Sequence, residues 1–332
     1  MTERRSSKQS HPYDRLTPDV VLTAIESIGF APDGRILPLN SYENRVYQIG
    51  VEEGNPVIAK FYRPKRWTQA AILEEHAFAL ELSAAEIPVV APIRRGDQTL
   101  FVHREFAYAV YPRQGGRWPE LATREERQWM GRFMGRIHAI GAKSAFKHRA
   151  MYSVERLAAE PAAYLLEHDW IPPHLREAYQ SVTDDLLATI DEWLERAGAL
   201  QLLRLHGDCH QGNVLWTEGG PNFVDFDDCL TGPAVQDLWM LLSGTRSEMA
   251  VQLKDLLQGY TQFASFDQAE LMLVECLRTV RMIHYAGWLA RRWDDPAFPR
   301  AFPWFSELRY WEEHVLALRE QQAAMDEGPL VL

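Results

Sequence analysis

The chain has 332 residues, 46% of them hydrophobic and 24% charged, a composition that excludes disordered and fibrous classes and predicts a globular enzyme with a sizeable core. Its length passes the ~250 to 300 residues at which single cores stop growing, so two lobes with a cleft are expected. Against 46 acidic residues stand 35 basic ones, a net charge of −11, which argues against a general nucleic-acid binder because such affinity rests on Lys and Arg neutralising phosphates; a local basic patch stays open.

The elements follow in chain order. Residues 1–15, rich in Ser, Lys and Arg and without periodicity, predict a mobile tail ahead of a helix over about 19–28 that Gly29 closes. Residues 44–49 and 57–61 read as short strands around the turn formers Glu53-Gly54-Asn55-Pro56, a hairpin candidate. A helix over 68–85 and short strands near 100–103 and 107–111 complete a β-rich N-lobe, placed at 16–111. Pro112-Arg113-Gln114-Gly115-Gly116 is the joint to a mainly helical C-lobe, 112–332. In that lobe Thr123 and Glu126 form a capping-type start for a helix over 123–140, and further helices are expected near 182–197, 235–242, 250–263 and 269–293. Between them, 202–205, 214–216 and 223–225 are short apolar runs around acidic motifs, expected as small strands carrying a catalytic loop. The fold class is therefore α+β and bilobal, with a small β-rich N-lobe and a larger mainly helical C-lobe.

Those acidic motifs point to phosphoryl transfer, which asks a protein to position two substrates, hold Mg²⁺ against phosphates and orient an attacking hydroxyl. In His206-Gly207-Asp208-Cys209-His210-Gln211-Gly212-Asn213 a carboxylate precedes an amide by five positions, the spacing of the kinase catalytic loop. Asp208 would accept the acceptor's proton and Asn213 would bind Mg²⁺; twelve residues on, Asp225 ends an apolar run and is the principal metal-ligand candidate. An Asp or Asn in a loop is ordinarily a turn former or cap; the ordered string is what favours chemistry. A rival reading, zinc at His206, Asp208 and His210, lacks a second His or Cys cluster to complete it. Upstream, Val57-Ile58-Ala59-Lys60-Phe61 is similar to the strand whose Lys pairs with ATP phosphates and with a Glu on the next helix, making Lys60 the phosphate clamp, with Glu75 preferred over Glu74 as its partner. A Gly-rich phosphate loop is missing; Asn40-Ser41-Tyr42-Glu43-Asn44-Arg45 stands in its place, where the Ser41 hydroxyl and backbone N–H groups are candidates to cradle phosphate. Asp237 is expected to buttress the catalytic loop. Arg281, His284, Tyr285, Trp288 and Arg292 recur at helical intervals, as either an acceptor-binding wall or the polar edge of a packed helix.

These motifs resemble the kinase-like phosphotransferases that include aminoglycoside phosphotransferases and choline kinases, a resemblance that implies a bilobal protein-kinase-like fold of the α+β class. Asn40 to Tyr47, Lys60-Phe61-Tyr62-Arg63-Pro64, Gly232 to Trp239 and Arg291-Arg292-Trp293 are similar, more narrowly, to the bacterial stress response kinase A family, over about 16–330. The resemblance implies a monomeric Ser/Thr protein kinase that uses ATP and Mg²⁺, autophosphorylates and serves stress survival. It also implies Asp208 and Asp225 as active-site residues, Asn213 and Asp225 as Mg²⁺ ligands, and Ser41 as an ATP contact. Only 226–236, eleven residues, separate Asp225 from Asp237, leaving no room for a long activation loop; a small-molecule acceptor, as in aminoglycoside, choline or homoserine kinases, is the alternative to a protein. Cys209, Cys229 and Cys276 are odd in number without CxxC spacing, which fits a reduced compartment, so cytoplasmic localisation is expected. No apolar run approaches the ~18 to 20 residues that span a bilayer, and neither membrane nor nucleic-acid partners are expected.

Overall fold

The computed structural model describes residues 11–332, which form two compact units, 11–80 with 90–115 and 81–89 with 116–332. The first contains one antiparallel sheet of five strands, β1 (Pro32–Pro38), β2 (Arg45–Val51), β3 (Val57–Phe61), β4 (Phe101–His103) and β5 (Phe106–Pro112), in the order β1-β2-β3-β5-β4. Thr17 caps helix α1 (Pro18–Glu26) by accepting from the Val20 N–H, and Pro18 sits where its missing N–H costs nothing. The α1 face of Val21, Ala24 and Ile25 buries against Ile49, Ala59, Phe61 and Tyr108 of the sheet, and the Tyr108 hydroxyl donates to the Ala24 carbonyl at 2.6 Å. Helix α2 (Gln69–Ala84) follows β3.

Two expectations need correction in this unit. Of the tail expected over 1–15, residues 1–10 lie outside the described residues, but Tyr13 is buried, stacks on Phe106 and donates its hydroxyl to Phe61 O at 3.1 Å. One aromatic anchor holds a segment whose neighbours are polar. β1 was not among the expected strands; it forms at the sheet edge with an irregular register between Pro32 and Ile36, where Pro is tolerated.

The second unit is mainly helical. Helix α3 (Arg124–Gly141) carries the expected capping box from Thr123 and Glu126. A π turn over Glu155–Ala159 leads into α4 (Glu160–Glu167), then α5 (Arg176–Ala197). Two ribbons interrupt the helices: β6 (Leu202–Leu205) pairs with β9 (Leu230–Pro233), and β7 (Val214–Thr217) with β8 (Gly220–Phe223). Then come α6 (Val235–Trp239), α7 (Arg246–Tyr260), α8 (Val274–Arg291), α9 (Ala297–Ala301) and α10 (Leu308–Asp326). Leu165, Tyr179, Ile190, Ile283, Leu289 and Leu318 belong to the core that α4, α5, α8 and α10 share. The 269–293 helix is divided, a 3₁₀ turn over Gln268–Leu273 preceding α8. β9 escaped the sequence reading because Thr231-Gly232-Pro233 looks like a turn; its pairing with β6 makes it a strand. The expected α+β, protein-kinase-like class holds, with a small antiparallel N-lobe sheet and a helical C-lobe. Among the described residues no helix is long and apolar enough to cross a membrane.

Candidate active site

In the second unit β6 delivers the chain into the 206–213 loop, and Asp237 of α6 fixes where it goes. This fully buried carboxylate accepts from the His206 N–H at 2.9 Å and the Gly207 N–H at 2.8 Å, and its Oδ2 is also 3.1 Å from His138 Nε2. Gln236 Nε2 donates to Gly207 O at 3.0 Å. Gly207 has φ +86°, and a Cβ there would fall on the Asp228 carbonyl oxygen, so the loop packs against the turn after Asp225 only because this residue is glycine.

The two loop histidines are fixed by their hydrogen bonds. Gly212 N–H donates to His210 Nδ1 at 2.9 Å, which leaves Nε2–H to face Asp208 Oδ2 at 3.5 Å. Asp208 N–H lies 3.4 Å from His206 Nδ1, and His206 Nε2–H donates to Val224 O at 2.8 Å. Both acceptor nitrogens are therefore taken by backbone N–H groups and offer no lone pair to zinc. Among the described residues no three His, Cys, Asp or Glu side chains are grouped to hold a metal.

Asp208 and Asn213 are in contact: Asn213 Nδ2 donates to Asp208 O at 2.9 Å and lies 3.4 Å from its Oδ2. Arg281 of α8 brings Nη1 to 2.7 Å from Asp208 Oδ1. Burial of Asp208 opposes its ionisation, but the His210 hydrogen bond and the Arg281 charge outweigh it and hold the carboxyl well below the usual carboxylate range. Asp225 is tied to the same assembly through its neighbour, since Val224 N–H donates to Asn213 O at 3.0 Å. It lies two residues beyond β8 rather than at a strand end, in left-handed backbone (φ 59°, ψ 67°), and caps a 3₁₀ turn over Phe226–Asp228. Buried Arg149 holds that turn through Asp227 O and, at 2.9 Å, Cys229 O. Sequence reading missed Arg149 because nothing in its local pattern separates it from a surface cation.

In the first unit Lys60 occupies the central strand β3, paired with Val46 on one side and Ala109 on the other. Its Nζ is 3.4 Å from Glu75 Oε1, with the side chains only 7% and 3% exposed; Glu75 rather than Glu74 makes this pair. The Tyr62 hydroxyl lies 3.5 Å from the same oxygen and 2.8 Å from His76 Nε2. In the turn that replaces a Gly-rich loop, Ser41 Oγ donates to Asn44 O at 3.2 Å, while Asn44 Oδ1 accepts from Arg63 N–H at 3.1 Å and Arg63 Nε donates to Glu43 O at 2.9 Å. Side-chain hydrogen bonds thus pin a turn that lacks the glycines.

Fold and loop define a kinase-like phosphotransferase, and the chain belongs to the phosphotransferase enzyme family, which it matches over residues 35–273. Stress response kinase A of Escherichia coli (strain K12) is 44% identical over 321 residues, covering 96% of this chain and 97% of that one. Serine/threonine protein kinase RdoA of Salmonella typhimurium is 42% identical over 320 residues, with 96% and 97% covered. The likeness to stress response kinase A read from the motifs therefore runs through nearly the whole chain. Among solved structures, the amicoumacin kinase hAmiN in complex with AMP-PNP, Ca²⁺ and Ami aligns with TM-score 0.70 at 20% identity over 94% of both chains. Choline kinase from Cryptosporidium parvum aligns with TM-score 0.63 at 14% identity over 94% of this chain and 97% of that one. At such identities the structural likeness concerns the fold.

Proposed function

We propose that this chain is an ATP- and Mg²⁺-dependent serine/threonine protein kinase of the cytoplasm, monomeric, able to autophosphorylate and engaged in stress response. The observation that carries the chemistry is the contact of Asp208 with Asn213 in a loop hydrogen-bonded to the Asp225 segment. The protein acceptor is supported by the name of one relative, serine/threonine protein kinase RdoA, 42% identical over 96% of this chain.

The donor set fits Mg²⁺. With Nδ2 engaged by Asp208, Asn213 presents Oδ1 as an acceptor, and Asp225 adds a carboxylate; both are hard oxygens, and Mg²⁺ takes few protein ligands beside water and phosphate. Bound there, Mg²⁺ neutralises charge on the phosphate oxygens. Asp208 orients the acceptor hydroxyl and takes its proton as the new O–P bond forms and the bond to the ADP oxygen breaks. Lys60, positioned by Glu75, clamps ATP phosphates, and Ser41 contacts them.

A second reading, a small-molecule kinase, is favoured by β9: the segment after Asp225 is tied to β6 by a ladder from Leu202↔Pro233 to Leu205↔Leu230, unlike an activation loop that orders to admit a peptide. Purified protein incubated with radiolabelled ATP, a generic protein substrate and a metabolite pool separates the two. Label on protein that disappears in Asp208→Ala is expected; label confined to metabolites overturns the protein-kinase reading.

A further inference from the structure

Asp208 meets a guanidinium that proton acceptance does not require. Arg281 reaches it from α8, 73 residues further along the chain, and engages Oδ1, whereas Oδ2 faces Asn213 and His210. The Arg281 side chain is 44% exposed and that of Asp208 25%, so solvent and an acceptor can approach this pair. A hydroxyl that donates to Asp208 must share Oδ1 with Arg281 or displace it. Arg281 is the more exposed member of the pair, so displacement moves the guanidinium and leaves Asp208 in place. The guanidinium then needs another acceptor, and its planar fork suits a carboxylate or phosphate.

Charge around α8 points the same way. In a chain of net charge −11, this helix carries Arg278, Arg281 and Arg291 against a single acid, Glu275. Arg278 pairs with Glu275 at 3.5 Å and Arg291 lies 5.1 Å over the Tyr164 ring, which leaves Arg281 as the cation directed at Asp208. A cationic acceptor approaching Asp208 would meet like charge.

We propose that Arg281 selects the acceptor: it pairs with Asp208 and passes to an anionic group beside the attacking hydroxyl when the acceptor binds. The favoured acceptor is thus a hydroxyl flanked by a carboxylate or phosphate, which for a protein is Ser or Thr next to an acidic residue. This rests on Asp208 being the residue that receives the acceptor hydroxyl.

The test compares four acceptors with full-length enzyme: serine peptides flanked by Glu or by Lys, and glycerate against choline. Wild type is expected to favour the anionic member of whichever class it labels by about tenfold or more in kcat/KM, as one specific ion pair with a bound anion would give. R281Q should raise KM for that acceptor and erase the preference while KM for ATP is unchanged, and R281K should restore part of it. Equal use of both members, preference for Lys-flanked peptide or choline, transfer to none of the four, or a preference that survives in R281Q overturns the proposal. The wild-type preference needs no variant, so misfolding of R281Q does not shield it. Label on glycerate but neither peptide would support Arg281 selection and overturn the protein-kinase reading; label on Lys-flanked peptide alone would do the reverse.

Discussion

Asp225 holds a left-handed backbone that non-glycine residues adopt rarely. Its neighbours on either side account for the persistence of that conformation: Val224 is held by Asn213 and His206, and the turn after it by Arg149. Such locally costly backbone is common where a side chain must be aimed. Asp225→Ala should leave the fold intact and reduce Mg²⁺-dependent kcat by about 100-fold or more; wild-type rates at ordinary Mg²⁺ in a phosphotransfer assay would remove Asp225 from the site. Lys60→Ala should behave differently. It should retain measurable turnover with raised KM for ATP, yet melt earlier, because Glu75 stays buried after its cation is lost. Unchanged melting together with wild-type KM for ATP would contradict both parts. The five-residue spacing of Asp208 and Asn213 was legible in the sequence because a tight loop between two strands brings such positions together locally. The choice of Glu75 over Glu74 rests on helix phase relative to β3, which packing sets.

At the scale of elements, two close approaches set the second unit's packing. The first is α6 against the loop, where one buried carboxylate satisfies two backbone N–H groups. Asp237→Asn preserves shape but replaces one acceptor oxygen with an amide donor, so a buried N–H loses its partner at a cost of about 1 to 3 kcal/mol. A lowered urea midpoint with a proportional loss of activity is expected; full stability would mean that the loop is held by other bonds. The second is α3 against α7, whose backbones meet at Gly131, Gly135 and Gly259; a Cβ at Gly131 would fall on the Leu256 carbonyl. Gly131→Ala must push the helices apart and should cost about 1 to 3 kcal/mol, read as a fall in Tm despite the better helix propensity of Ala. α3 was legible from its cap and apolar face, but β9 was not: a Thr-Gly-Pro stretch becomes a strand only because β6 supplies its hydrogen-bond partners.

For the whole molecule, pH acts through groups that packing has removed from water. Glu270 is 2% exposed, and its Oε2 accepts from the Val235 N–H at 2.7 Å at the start of α6. Burial raises its carboxyl from 4.5 to about 7. A carboxyl raised on folding contributes its stability fully below the unfolded value and loses it as pH climbs through the folded one. The window is therefore about 4.5 to 7, and the shift corresponds to roughly 3 kcal/mol. The Tm of Glu270→Gln minus that of wild type should rise between pH 5 and 8; parallel curves would show that Glu270 is charged throughout. The difference between the two proteins cancels the titration of carboxylates they share.

By itself the sequence determined the order of the candidate site residues, from Lys60 through Asp208 and Asn213 to Asp225, and the succession of a strand-rich and a helix-rich part. Those features are local: apolar periodicity, caps and short spacings act over one turn or one strand. Tertiary structure alone decided that Arg281 lies on Asp208, that Arg149 grips the turn after Asp225, and that β9 closes on β6 where an activation loop was already excluded by length. These contacts join residues dozens of positions apart. Their partners are set by how distant elements pack in three dimensions, and no local pattern encodes that geometry.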